Sequence, residues 1–65
     1  MSDTDSDWMK GIRMALKAAG FSEDNNIAIG MAHSMRAGRD EASYSLQEGK
    51  EMGAEVARRC KYGKR

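Results

Sequence analysis

The sequence predicts an all-α protein of three helices, at about residues 6–19, 23–37 and 40–62, the third being the longest. Two observations lead there. The chain contains no proline and no alternating stretch of strand length, while its apolar residues recur at spacings of three and four. Its glycines also fall into two sets. Gly20, Gly38 and Gly63 stand where a helix should stop in a left-handed cap. Gly11, Gly30, Gly49 and Gly53 stand inside helical stretches, where each costs roughly 1 kcal/mol relative to alanine.

The first helix follows a run of N-capping residues, Asp3 to Asp7, whose negative charge suits the positive end of a helix dipole. Trp8, Met9, Ile12, Ala15, Leu16 and Ala19 form its apolar face, and Lys10, Arg13 and Lys17 lie on another, solvated one. The second begins near Ser22, with Glu23 and Asp24 in its first turn. Its centre, Ile27 to Ala32, is uncharged all the way round, which predicts burial on more than one side and a central place in the fold.

The third helix takes Asp40 as its N-cap. Ala42, Leu46, Gly49, Gly53, Val56 and Cys60 then follow at alternating spacings of four and three, a seam for helix packing or for an oligomer. Gly49, Gly53 and Ala57 repeat a small residue every fourth position, as do Gly11, Ala15 and Ala19. Such spacing lets backbones approach closely.

Size sharpens that expectation. A single 65-residue domain buries only about 60% of its unfolded surface. Leu, Ile, Val and Phe together number seven, so methionine and alanine must fill part of a thin core. One cysteine excludes an intrachain disulfide, and one histidine with one cysteine excludes a standard four-ligand zinc site. No cofactor is called for. The expectation is a domain stabilised by association, as a homo-oligomer or docked on a larger partner. No segment is long and apolar enough to span a bilayer, and residues 1–5 form an acidic lead-in unlike a secretory signal. A cytoplasmic protein without membrane contact is expected.

Candidate chemistry is sparse. His33 is the one side chain that titrates near neutrality, but Ile29, Gly30, Arg36 and Ala37 surround it at helical spacing, with no carboxylate or nucleophile among them. Cys60 lies among Arg58, Arg59 and Lys61, and its seam position marks it as a packing residue. Glu51 and Glu55 read as surface partners of Arg58 and Arg59. The pattern is that of a protein without catalytic residues.

Charge is more informative. Residues 58–65 hold Arg58, Arg59, Lys61, Lys64 and Arg65 and no acid; with a net charge of +1 overall, residues 1–57 carry −4. A basic end of this kind, with residues 63–65 as a tail, suits nucleic-acid phosphate or an acidic protein surface. Ala15, Ala19, Gly20, Phe21 and Ile29 loosely resemble the small, turn and apolar positions of a helix-turn-helix, although Leu16 is too large for its place and Glu23 and Asp24 bring the wrong charge. Five internal methionines suit a surface that moulds to a partner. The functional expectation is a regulator or inhibitor that occupies the surface of a larger intracellular protein, as small proteins of phages and mobile elements commonly do, using Ile27, Met31, Met35 and the basic end. A nucleic-acid-binding regulator is the alternative.

Overall fold

Backbone contact between the first and third helices organises the molecule. The computed structural model describes residues 5–63 and shows α1 at Asp7–Ala18, α2 at Asn26–Arg36, a 3-10 turn at Glu41–Ser43 and α3 at Leu46–Gly63. The chain is therefore all-α, with a long C-terminal helix. A Cβ built on Gly11 would lie 2.5 Å from the Leu46 carbonyl oxygen and 2.6 Å from the Lys50 nitrogen; one on Gly49 would overlap the Trp8 carbonyl; one on Gly53 would lie 2.8 Å from the Ala15 Cβ and 2.9 Å from the Ile12 Cα. Trp8 thus meets Gly49, and Ile12 and Ala15 meet Gly53. Residue numbers rise together along the contact, so α1 and α3 run parallel and α2 carries the chain back between them.

The two small-residue rows are therefore one interface within the chain. Contact within the chain thus accounts for the small-residue rows, and the radius of gyration of 10.9 Å matches the ~10.8 Å expected of a globular domain of this length. Gly30 departs from the set. Nothing lies within 4 Å of its Cβ position, so it is an exposed helical glycine and not a notch.

Capping residues explain the element boundaries. Ser6 caps α1 by accepting from the Met9 amide. At the far end Phe21 N–H donates to the Leu16 carbonyl at 2.9 Å while Gly20 takes φ +90°, the left-handed stop expected of it. Asn25 caps α2 through the Ala28 amide, so this helix starts at Asn26 and not at residue 23. Residues 22–24 are held outside it because Arg13 donates to the Asp24 carboxylate at 2.7 Å and to the Glu23 carbonyl at 3.1 Å. Arg13 also bonds Asp5 at 3.0 Å, which makes it a clasp and not part of a solvated face. Its partial burial opposes the charge, but the bond to Asp24 and the field of Asp5 hold its pKa above the ordinary value. Residues 19–25 are a longer connection than the three or four residues of a helix-turn-helix.

The third helix starts later than residue 40. Asp40 does act as a cap, but of the short 3-10 turn, after which Tyr44 is extended at φ −94°, ψ 148°. Ser45 then starts α3 in a reciprocal capping box: its Oγ accepts from the Glu48 amide at 3.1 Å, and the Glu48 carboxylate accepts from the Ser45 amide at 2.9 Å. The spelling Ser-x-x-Glu carries this signal, and it outcompetes the aspartate upstream.

The core is small. Trp8, Ile12, Leu16 and Val56 are its largest fully buried side chains, joined by Met9, Ala28, Ala32 and Ala57. The second helix contributes only Ala28 and Ala32 at full burial, and Ile27 is 77% exposed. It is a cover laid over one face of the α1/α3 pair, not the central element that its uncharged centre predicts, because the glycines let the other two helices close on each other directly.

Alanine substitutions separate contact from exposure. Gly49→Ala and Gly53→Ala are each expected to cost about 1–3 kcal/mol or more, with Gly49 the worse because its overlap is the deeper and wholly with backbone, whereas Gly30→Ala should gain about 1 kcal/mol through helix propensity. Urea unfolding followed by circular dichroism measures all three. A second change tests the end of α2, where Ala37 sits in the left-handed region at φ +52°. Ala37→Gly is expected to stabilise by about 0.5–1 kcal/mol, since relief of the left-handed strain exceeds the added freedom of the unfolded chain, read as a raised Tm.

Candidate binding groove

A groove of about 400 Å³ runs between α1 and α3, and none of the residues lining it belongs to α2. Ala15, Ala18 and Ala19 line it from α1, and Ala54 and Ala57 from α3, with Phe21 also contributing. Its position follows from helical geometry. Ala18 and Ala54 each stand two residues from a core position, Leu16 and Val56, and so roughly 200° round their helices from those buried side chains. Alanine makes walls of single methyl groups, and the space beyond them is left for side chains that the chain itself does not supply.

Arg58 and Lys61 complete the lining on the α3 side. Arg58 donates to one oxygen of Glu55 at 2.8 Å and Arg59 to the other at 2.9 Å. The bonds from Arg59 and Arg58 hold the Glu55 carboxyl below its ordinary range. Both arginines remain largely exposed, with side chains 62% and 59% accessible, so these are solvent-screened surface pairs that contribute little to stability. Lys61 is exposed as well.

At the opposite end of the pair a polar roof closes over Trp8. The indole N–H donates to the Met52 sulfur at 3.3 Å. The Arg36 guanidinium lies 5.0 Å from the ring centroid, the His33 ring meets it edge-on at 5.2 Å, and Tyr44 lies 5.8 Å away. Arg36 donates to His33 Nδ1 at 2.9 Å and to the Arg39 carbonyl at 2.7 Å, with Glu41 at 3.9 Å. A guanidinium can only donate, so the proton of the neutral His33 ring sits on Nε2. Glu41 in turn accepts from the Ser6 hydroxyl at 2.9 Å. This arrangement pins α2 and the connection after it onto the start of α1. Its buried Arg36 Nε has no hydrogen-bond partner.

The residues singled out in the sequence scatter over these features. Of the seam, Gly49, Gly53 and Val56 are buried between helices, Cys60 is a half-buried free thiol packed against the core, and Leu46 is 38% exposed. Ala42 is not in the seam: the helix begins after it, and it is exposed in the 3-10 turn. Ile27 projects from α2, while Met31 and Met35 are half-buried against the core. Arg58 and Lys61 are at the groove and Arg59 is beside it; Lys64 and Arg65 lie outside the described residues. The groove alanines were not singled out as binding residues, because alanine in a helix carries no chemical signature. Among the described residues no three His, Cys, Asp or Glu side chains gather in a metal-binding group, and no helix is long and apolar enough to cross a membrane.

No family model, curated protein or solved structure matches the chain.

The shared carboxylate gives a titration test. A carboxyl held low in the folded state stabilises that state above its unfolded pKa and loses the contribution as the pH falls through its folded value. The Glu55 side-chain carbon is therefore expected to titrate below the ordinary glutamate range by NMR, and Arg59→Gln should move the midpoint upward.

Proposed function

We propose that this chain is a non-catalytic helical binding protein that regulates or inhibits a larger intracellular, cytoplasmic protein by occupying its surface. The observation that carries this reading is the uncovered side of the α1/α3 pair. The helices satisfy each other through glycine and leave an apolar groove open to solvent, edged by cations. The residues with reactive potential are occupied otherwise. His33 accepts from Arg36 against Trp8, and Cys60 packs against the core. Binding through nucleic-acid phosphate is the less favoured use of the basic end, since the groove beside it is floored with methyl groups, which suit apolar side chains and not phosphate.

Site-specific photo-crosslinking tests the reading in cells that produce the protein. With a crosslinking residue at Ala18, at Ala54 or at Ile27, one larger protein is expected to be captured reproducibly from at least one of these positions. Capture of nucleic acid instead, with affinity for duplex or single strand that falls steeply with salt and ignores sequence, would transfer the function to the phosphate-binding alternative. Absence of any crosslinked macromolecule from all three positions rejects both.

A further inference from the structure

We infer that the groove seats an acidic amphipathic helix of a partner protein, running antiparallel to α1 and α3; this rests on the binding-protein reading above and names the partner's chemistry. Shape indicates a helix. The floor is the valley between two parallel helices, and from Ala54 to Lys61 it extends about 10 Å, or two turns. A third helix laid in such a valley presents anchors at i, i+3 or i+4, and i+7. The methyl-lined walls leave room for leucine, methionine or phenylalanine anchors. Two of the large apolar side chains that remain exposed lie on helical rows leading into the groove. Met14, 48% exposed, is four residues before Ala18, and Leu46, 38% exposed, begins the row Leu46, Lys50, Ala54. They lengthen the apolar track by a further turn or two.

Charge selects the partner and its direction. Arg58 and Lys61 are the charged side chains lining the groove, and they stand toward the C-terminal end of α3. Acidic residues are most stable in the first turn of a helix. A helix whose N-terminal carboxylates meet Arg58 and Lys61 must therefore run antiparallel to α1 and α3, which also opposes its dipole to theirs. The Glu55 to Arg58 bond is a solvent-exposed pair, so Arg58 can exchange it for a carboxylate of the partner. A second copy of this chain fits less well: α2, whose Ile27 is the most exposed large apolar side chain, contains no acidic residue.

The probes are two synthetic peptides of about 16 residues, long enough for four turns, with identical leucines at i, i+3 and i+7. One carries glutamates in its first turn and flanks, and the other carries lysines there. In NMR titration of the isotopically labelled chain the glutamate peptide is expected to shift the methyl signals of Ala18, Ala54 and Ala57, with affinity at least about tenfold above that of the lysine peptide, as two rim ion pairs allow. Arg58→Glu with Lys61→Glu should reverse the preference. Both positions are exposed, and a cooperative melting transition with unchanged Trp8 emission establishes that the variant is folded. Equal affinity for the two peptides, no binding by either, or shifts confined to α2 would overturn the inference, as would methyl shifts at the groove produced by duplex or single-stranded nucleic acid instead. The crosslinking experiment separates the two levels. A protein captured only through Ile27 leaves the binding function standing and removes the groove from it, whereas loss of capture everywhere removes the function itself.

Discussion

Direct backbone contact between α1 and α3 is the constraint on which the rest of this protein depends. Removing the Cβ at Gly11, Gly49 and Gly53 brings the carbonyl of Trp8 and the Cα of Ile12 against the facing helix. Each glycine weakens its own helix by roughly 1 kcal/mol; the contact must offset that through dispersion over a dry, close interface. It also explains how so few large apolar residues suffice. With the helices this near, Trp8, Ile12, Leu16 and Val56 fill the interior, and a wider pair would demand bulk that the sequence lacks.

The same closeness decides what α2 can be. Since α1 and α3 meet directly, no room is left between them, and the second helix must lie across one face. Its fully buried residues are two alanines, a shallow attachment, and the polar roof over Trp8 supplies the rest through Arg36, His33 and Glu41. Methionine fits this design: Met31, Met35 and Met52 pack against the core edge without filling its centre, where a thioether tolerates an imperfect cavity better than a branched side chain. The helix least engaged with the other two, α2, is the one expected to open first in the native state.

One covered face and one uncovered face make the molecule asymmetric in chemistry as well as in shape. The covered side is closed by the aromatic and polar roof at the start of α1. The uncovered side is a methyl-lined valley with its cations toward the end of α3. A parallel pair places both helix C-termini at that end, where Lys17 and Lys61 in the last turns complement the dipoles and Arg58 and Arg59 add to the same positive end. These cations thus have a structural role as well as a recognition role, and Glu55 moderates two of them.

By itself the sequence determined that the chain is helical, that α1 begins within the capping run Asp3 to Asp7 and that Gly20 ends its helix, because capping and left-handed stops are local interactions written in adjacent residues. Which of the five caps acts, Ser6, only the structure showed. The start of α3 was equally local, written in Ser45 and Glu48, although the upstream Asp40 offered a competing cap that belongs to the 3-10 turn. The small-residue rows were legible as surfaces of close approach. Whether they would meet each other or another molecule was not, since spacing along one helix carries no information about which helix faces it. Only the tertiary structure decided that Gly11 and Gly49 close one interface within the chain, that Gly30 belongs to none, and that Ile27 faces solvent. It alone showed the groove, because a valley exists only once two helices are laid side by side, and the alanines that line it look in sequence like any other helix-forming residues.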